Sequence, residues 1–331
     1  MYNLFYVESP LQMLSAISAV KKFNQHKAIL IVNLSNDVDR KKNDTQLLAL
    51  IGSEWDKVII KKSPKGRLSA LIDLLRYVIP FIALYRNKIN QYFIGEYRSI
   101  DMVMLNIFIS PKETILLDDG SFTITAQHYY ITNNITPYGN SIKHRLLEPL
   151  IKNLKVPNLY SFFNLELLKG QVNYFVLPVK KIININKGSV YFFGSKLSES
   201  KNVLLNDELD VLSQVLKLYE GYQVYYIPHR DENISKLNVI EKLGYCIKCL
   251  GIPAEVYFEE TDIMPEIIIS YYSTVLYTCY LRFKNVEIRT VNIESIILPE
   301  KSAINAKEIY GYYKGLGIKD IIIQSSRIEQ L

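Results

Sequence analysis

The sequence predicts an α/β protein with two Rossmann-like domains that face a central cleft. Short apolar runs alternate with helical patterns from the first residues onward, and this alternation restarts near residue 189 after an irregular stretch. A chain of 331 residues is also long enough for two domains. We expect residues 1–180 to form the N-terminal, acceptor-side domain and residues 181–331 to form the C-terminal, nucleotide-binding domain.

In the first half, apolar runs predict strands that alternate with helices. The predicted strands are NLFYV (3–7), AILIV (28–32), KVII (57–60), QYFIG (91–95) and ETILLDD (113–119). Helices are predicted over residues 11–22, over residues 68–86 and between the last two strands. Strands separated by helices pair in parallel, so this half should form a parallel sheet. From residue 130 to residue 187, Asn, Pro and Gly interrupt the periodicity.

The second half repeats the pattern. The predicted strands are SVYFFG (189–194), YQVYYIP (222–228), EVYF (255–258), VLYT (275–278) and VEIRTVNI (286–293). Helices are predicted over residues 204–221 and 235–250. Ligands of such folds bind beyond the carboxyl ends of the strands, which directs attention to the polar residues there.

The first such group is Asp118, Asp119 and Gly120, which follow a strand. Glycine permits a sharp turn or the close approach of a ligand. Repulsion and burial would raise the pKa of one carboxyl group in the pair, as a general base requires. The alternative interpretation is an Asp-Gly turn with two solvated carboxylates.

Two further groups follow strands or apolar runs in the second half. His229 ends a strand between Pro228 and Arg230, a suitable place for an anion contact. Ser273 and Thr274 follow the run PEIIIS; such hydroxyl groups either cap a helix or bind a phosphate.

Composition and charge narrow the class of protein. The chain has 49% hydrophobic and 22% charged residues, as folded proteins have, and a net charge of +6 from scattered basic residues. The basic residues do not form a cluster of the kind that binds nucleic acid, and a mild positive charge is better suited to an anionic small ligand or an anionic membrane surface. The start MYNLFYVES lacks the pattern of a secretory signal, and the cysteines are few, so we expect a cytoplasmic protein.

Two sequence features leave alternatives open. Cys246 and Cys249 form a single C-x-x-C, predicted to lie in a helix, and without a second pair we expect no metal site. The basic, apolar segment 68–86 either packs on the domain core or lies on an anionic leaflet. The second alternative predicts a peripheral protein at the cytoplasmic face of the inner membrane.

Four short motifs follow one another along the chain: ESPLQ at 8–12, DDG at 118–120, PHR at 228–230 and ST at 273–274. This order resembles that of the bacterial sialyltransferases of the lipooligosaccharide and polysialic acid groups. Those families share an acidic-acidic-glycine motif, a His-Pro motif and a Ser/Thr motif on a two-domain GT-B fold. The resemblance spans essentially the whole chain, but Arg230 stands where the family has a proline after the histidine.

The resemblance implies an inverting transfer of sialic acid from CMP-sialic acid to a galactose or sialic acid hydroxyl of a surface glycan. Lipooligosaccharide, O-antigen, capsule and lipid-linked acceptors all fit, and no metal or other cofactor is implied. Asp118, or with less support Asp119, would be the general base, and the imidazolium of His229 would stabilise the departing phosphate. The remaining implied contacts are Ser273, Thr274, Gly194, Pro228 and Arg230 on the donor side and Ser9, Gln12 and Gly120 on the acceptor or cleft side.

The chemistry fits a CMP-linked sugar, because one leaving phosphate can be stabilised by histidine, arginine and hydroxyl donors without a divalent cation. Two alternatives remain open. One is a transferase for another CMP-activated ulosonic acid, such as Kdo or another nonulosonic acid. The other is a non-catalytic partner in glycan assembly.

Overall fold

The computed structural model describes residues 1–35, 40–63, 66, 72, 77–137, 148–175 and 177–323. The chain divides into two compact units, Met1–Val176 and Leu177–Leu331. This division falls a few residues before the predicted boundary at residue 180.

The first unit contains a parallel six-stranded sheet. Its strands are β1 (Tyr2–Val7), β2 (Lys27–Leu34), β3 (Lys57–Lys62), β4 (Ile89–Ile94), β5 (Glu113–Leu117) and β6 (Asn158–Tyr160). Their order is β3-β2-β1-β4-β5-β6, and every neighbouring pair is parallel. The strand order reverses between β1 and β4, so the carboxyl ends of these two strands border the crevice in which α/β sheets bind ligands.

Helices connect these strands. The structure describes Pro10–Lys22, Lys41–Ala49, Ile79–Tyr85, Ile100–Ile109 and Phe122–Thr125, the last followed by a π-helical turn, Ala126–Ile131. Ser9 caps the first helix by accepting the Gln12 N–H at 3.3 Å, with Pro10 at the first helical position. In the predicted helix at 68–86, residues 68–71 and 73–76 lie outside the described residues, and the final part, Ile79–Tyr85, is helical. The sheet core is aromatic: Phe5 stacks on Phe93 with 4.2 Å between ring centroids.

The second unit contains another parallel six-stranded sheet. Its strands are β7 (Asn184–Phe193), β8 (Gln223–Ile227), β9 (Cys246–Ile247), β10 (Ile263–Ser270), β11 (Glu287–Asn292) and β12 (Lys319–Ile322). The order β12-β11-β10-β7-β8-β9 repeats the arrangement of the first unit, with the reversal between β7 and β10. The prediction of two Rossmann-like domains is therefore confirmed.

The helices of the second unit correct three local predictions. They are Leu205–Leu218, Ile234–Leu243, Ala254–Glu260, Thr274–Arg282 and Glu300–Gly315, with a 3₁₀ turn at Glu294–Ile296. EVYF and VLYT, predicted as strands, are helical, because apolar runs of this length fit either structure and their neighbours decide. The predicted helix at 235–250 ends early, at Gly244 with a φ of 118°, so Cys246 begins a short strand instead.

No helix in the described parts of the chain is long and apolar enough to cross a membrane.

Candidate active site

The DDG segment forms a tight turn at the carboxyl end of β5. Gly120 has a φ of 65°, a conformation that glycine adopts without strain. Thr123 closes the turn, because its hydroxyl accepts the Asp119 N–H at 2.9 Å and its N–H donates to Gly120 O at 3.0 Å. The turn sends the two aspartate side chains into different surroundings.

Asp118 is fully buried, with 0% of its surface exposed. Its Oδ1 accepts the Ser161 hydroxyl at 2.5 Å, and its Oδ2 accepts the Phe162 N–H at 2.8 Å. Burial raises the pKa of Asp118 to about 7, against the opposing effect of these hydrogen bonds. Asp118 thus joins β5 to the segment after β6, and its burial does not support the preference for Asp118 as the base.

Asp119 lies closer to solvent, with 16% of its side chain exposed. Its Oδ1 accepts the Gln12 Nε2–H at 2.7 Å, and its Oδ2 lies 3.7 Å from Arg98 Nη2. Burial, followed by the negative charge of Glu96, raises the pKa of Asp119 well above its ordinary value. We predicted repulsion between Asp118 and Asp119, but the carboxylate acting on Asp119 is Glu96, which comes from another strand end.

Gln12 is held at both ends of its side-chain amide and is 2% exposed. Its Oε1 accepts the Glu8 N–H at 2.8 Å. This position requires Gly95, which follows β4: a Cβ on Gly95 would lie 2.8 Å from Gln12 Cδ and 2.9 Å from Tyr6 O. Glycine is therefore the residue that lets Gln12 cross the sheet edge.

Glu96 and Arg98 follow Gly95 and form a two-point ion pair. Arg98 Nε lies 2.8 Å from Glu96 Oε1, and Arg98 Nη2 lies 2.6 Å from Glu96 Oε2. Burial raises the pKa of Glu96, but the bonds and charge of Arg98 outweigh that effect and hold this pKa below its usual value. The guanidinium carbon also lies 3.8 Å from the centre of the Phe122 ring.

Gly95, Glu96 and Arg98 were not predicted from the sequence. A signal was present, since the predicted strand QYFIG ends in a glycine and two charged residues follow within three positions. The rule that directed attention to DDG, that ligands bind beyond strand carboxyl ends, applies equally to this segment.

In the second unit, His229 follows β8 with 32% of its side chain exposed. Its Nδ1 accepts the Asp231 N–H at 3.2 Å, so the neutral ring carries its proton on Nε2. Burial, with the charges of Arg230, Lys196 and Lys236, lowers the pKa of His229 to about 3. The histidine is therefore neutral in the free protein, and the predicted imidazolium requires a large rise of this pKa in a donor complex.

Buried charges hold the His229 loop. Glu232 Oε2 accepts the His229 N–H at 2.5 Å, while Glu232 Oε1 accepts from Tyr226 at 2.7 Å. Lys236 Nζ lies 2.8 Å from Glu232, 2.6 Å from Glu208 and 3.2 Å from Glu199. The Lys236 and Glu232 side chains are 3% and 0% exposed. This cluster was not predicted, because the spacing of charged residues in the sequence does not indicate which of them are buried in the folded protein.

Gly194 makes room for the same cluster. A Cβ there would overlap the Tyr226 ring and lie 2.7 Å from Glu232 Oε2. The structure thus gives Gly194 a packing role at the end of β7. Its contact with a donor stays a prediction.

The hydroxyl residues after β10 begin a helix. Ser273 is its N-cap and accepts the Val275 N–H at 3.4 Å, and Thr274 is the first helical residue. Ser273 and Thr274 are partly exposed, as are Pro228 and Arg230. Arg230 Nε lies 3.7 Å from an Asp231 carboxylate oxygen.

Among the described residues, no three His, Cys, Asp or Glu side chains are grouped as metal ligands would be. The independence from a metal cofactor stays a prediction.

Comparisons with known proteins bear on the fold. No protein-family model and no curated protein sequence matches the chain. Among solved structures, it is similar to UGT2 of Phytolacca americana, complexed with UDP-2fluoro-glucose and pterostilbene, at 12% identity and a TM-score of 0.56, over 98% of this chain and 86% of that one. It is also similar to a Listeria monocytogenes protein described as a UDP-N-acetylglucosamine 2-epimerase, at 7% identity and a TM-score of 0.52, over 89% and 80% of the two chains.

A third similar structure is the α/β-galactoside α-2,3-sialyltransferase from Photobacterium phosphoreum, at 12% identity and a TM-score of 0.48, over 96% of this chain and 98% of that one. At such identities a likeness shows the fold alone. The fold is of the GT-B type, as predicted, and the similar structures include UGT2 and a UDP-glucosyltransferase from Polygonum tinctorium. One fold can host several reactions, so the reaction must be argued from the site.

Proposed function

We propose that the protein is an inverting glycosyltransferase that moves sialic acid from CMP-sialic acid to a hydroxyl group of a bacterial surface glycan. The observation that carries this proposal is the environment of Asp119. Its carboxyl group is partly exposed at a strand end, is oriented by Gln12, and has a raised pKa. A carboxylate with a raised pKa beside a ligand crevice suits a general base.

Asp119, rather than Asp118, is the base in this proposal. A base must reach the proton that it removes, and Asp118 has no exposed surface and two short hydrogen bonds. Asp119 has the exposed surface that contact with an acceptor hydroxyl requires.

The second unit supports the choice of a donor with a single phosphate. His229, Ser273 and Thr274 follow the carboxyl ends of β8 and β10. His229 has an Nε2–H group to donate, and the positive charges of Arg230 and Lys196 act on it. Hydrogen-bond donors and cations of this kind stabilise a departing phosphate.

The reaction follows from these roles. Asp119 removes the proton of the acceptor hydroxyl as its oxygen forms a bond to the anomeric carbon of the sugar. The bond from that carbon to the phosphate oxygen breaks, and CMP leaves with the bonding electrons. Because the attacked carbon is crowded, the transition state is oxocarbenium-like, and the donor-side groups act most strongly on the accumulating phosphate charge.

Donor and acceptor can be tested together. The protein is incubated with CMP-sialic acid, CMP-Kdo and CMP-legionaminic acid, each with galactose-terminated, sialic acid-terminated and lipid-linked glycans, while released CMP and product are measured. We expect acceptor-dependent release from CMP-sialic acid that Asp119→Asn abolishes. Transfer only from CMP-Kdo or CMP-legionaminic acid would show that the donor sugar is not sialic acid. CMP binding without transfer from any donor would indicate a non-catalytic role in glycan assembly.

The cellular position is also part of the proposal. An enzyme that uses CMP-sugars and lipid-linked acceptors would act at the cytoplasmic face of the inner membrane. Sedimentation with anionic vesicles tests this, and recovery of all protein in the supernatant would contradict it.

A further inference from the structure

We propose that Glu96, Arg98 and Asp119 form one acid–base unit, in which Glu96 and Arg98 are positioning residues that control where the proton of Asp119 resides. The inference rests on the proposed function, because it explains how the proposed base is prepared for its role. It is carried by the geometry of three charged groups from two neighbouring strand ends.

The first step is the binding of Glu96 by Arg98. Two N–H groups of Arg98 bind the two oxygens of Glu96, at 2.8 Å and 2.6 Å. A planar guanidinium bound in this two-point manner stabilises the ionised carboxylate. Glu96 therefore retains its negative charge, and its position is fixed by a side chain that stacks on Phe122.

The second step is the position of the two carboxyl groups beside one cation. Arg98 Nη2 lies 2.6 Å from Glu96 Oε2 and 3.7 Å from Asp119 Oδ2. Two carboxyl groups beside the same guanidinium nitrogen repel each other when both are ionised, which favours a proton on one of them. Because Arg98 binds Glu96 at two points and keeps it ionised, that proton belongs to Asp119.

The third step concerns the two oxygens of Asp119. Gln12 donates to Oδ1 at 2.7 Å, so this oxygen acts as an acceptor and Oδ2 is left to carry the proton. Oδ2 is also the oxygen that lies 3.7 Å from Arg98 Nη2. When Asp119 Oδ2 releases its proton to solvent, Arg98 balances part of the second negative charge, while burial and the like charge of Glu96 keep Asp119 a stronger base than an ordinary carboxylate.

Other groups contribute to this environment without joining the unit. Glu8 adds a partly buried carboxyl group after β1, where the charges of Glu96, Arg40 and Asp101 act on it, and Tyr130 acts on Arg98. The neutral contacts of Asp119 are Gln12 and Thr123. Arg98, with 49% of its side chain exposed, is the cation that acts on Asp119 from this surface.

Two substitutions give the unit a signature that a structural role would not produce. Glu96→Gln keeps the shape but removes the like charge, so the acid limb of the pH profile of kcat/KM should move to lower pH by about one unit. Arg98→Met removes the opposite charge, so the same limb should move to higher pH by about one unit. Asp101→Asn is a matched charge change on the helix that follows β4, and it should leave the limb in place.

The same titration is followed in the free protein by ¹³C NMR of the labelled carboxyl groups, with Asp119 assigned from its absence in Asp119→Asn. A lower Asp119 midpoint in Glu96→Gln and a higher one in Arg98→Met support the acid–base unit. If one variant does not fold, the direction of the shift in the other still tests the unit. Opposite NMR shifts without turnover on any donor would reject the proposed function but keep the unit. If turnover is normal but the Asp119 titration midpoint does not move, or moves in the same direction in both variants, the acid–base unit is overturned and the proposed function stands.

Discussion

Gln12 and Asp119 are 107 residues apart in sequence, and the Gln12 side-chain amide donates a 2.7 Å hydrogen bond to the Asp119 carboxyl group. The same amide accepts the N–H of Glu8, so one buried side chain connects the carboxyl ends of β1 and β5. A side chain held at both ends has a single orientation, and it transmits that orientation to Asp119. The proposed base is thus positioned by the sheet rather than by its own loop alone.

Asp119→Asn should abolish most transfer while the protein stays folded. Asparagine keeps the shape and can still accept the Gln12 hydrogen bond, but it cannot remove a proton. Loss of a general base lowers turnover by a factor of about 100 to 10,000. Steady-state kinetics together with CMP binding by calorimetry measure this, and we expect the affinity for CMP to be unchanged.

The neighbouring Asp118→Ala serves as the contrast. It leaves the Ser161 hydroxyl and the Phe162 N–H buried without their acceptor, which costs about 1–3 kcal/mol of stability for each unsatisfied group. We expect a lower melting temperature with turnover per folded molecule close to that of the wild type. The reverse pattern, a stable Asp118→Ala without activity and an active Asp119→Asn, would return the base to Asp118.

Gly95→Ala should lower activity through Gln12. The added methyl group would lie 2.8 Å from Gln12 Cδ and 2.9 Å from Tyr6 O, so the glutamine must move away from Asp119. Small displacements of a catalytic group can cost about 100-fold in rate. The matched control is Gly311→Ala, an exposed helical position with no atom within 4 Å of the new Cβ, which should retain activity and gain slight stability. Full activity of Gly95→Ala would show that Gln12 does not position the base.

The sequence predicted the fold well because the buried strands of parallel sheets are continuous apolar runs. Runs such as AILIV and SVYFFG are apolar on both faces, so they must be buried. The helices between consecutive strands provide the crossover connections that parallel pairing requires. Predictions failed for EVYF and VLYT, because short segments rich in apolar residues fit either a strand or a helix. Ser273 caps the helix that contains VLYT, whereas the helix that contains EVYF begins after Pro253 without a side-chain cap, so packing decides there.

The site was predictable only in its position. Strand ends indicated Asp119 and His229, but not the direction in which each side chain points. The burial of Asp118 depends on Ser161, which is 43 residues away in the chain. Long-range contacts of this kind depend on the packed structure, and neither spacing nor composition encodes them directly.

Lys236→Met should destabilise the second unit. The substitution removes the cation that pairs with the carboxylates of Glu199, Glu208 and Glu232, so their negative charges lose this partner. Breaking a buried ion pair in this way costs about 3–5 kcal/mol. Lys242→Met, an exposed position on the same helix, is the control, and urea unfolding of both variants compares them. Equal stabilities would mean that the cluster does not support the His229 loop.

Transfer should survive chelation. The CMP leaving group has one phosphate, and protein donors can balance its charge. Turnover after dialysis against EDTA should equal that of the untreated protein within error. A complete loss that Mg²⁺ or Mn²⁺ restores would contradict the prediction, whereas partial stimulation by salt would not, because cations also screen anionic acceptors.

The pH dependence of stability should report the neutral state of His229. Its pKa is about 3 in the folded protein against 6.5 in an unfolded chain. Between these values the unfolded chain binds a proton that the folded protein does not, so the free energy of unfolding falls as the pH is lowered through this window. His229→Ala lacks this effect. Its melting temperature should fall less steeply than that of the wild type between pH 6.5 and pH 4, and parallel curves would mean that the histidine is not held neutral.

The same variant tests whether His229 acts on the donor. A donor phosphate near the ring would raise the pKa of His229, and either the imidazolium or the Nε2–H group of the neutral ring would bind the phosphate more strongly as charge accumulates on it. His229→Ala should therefore lower kcat more than it raises the KM for the donor, because only interactions that strengthen in the transition state accelerate the chemical step. Measurement of both constants and the melting temperature on one preparation separates catalysis from folding. A destabilised variant with normal kcat per folded molecule would assign the His229 side chain a purely structural role, through the hydrogen bond that its Nδ1 accepts from the Asp231 N–H.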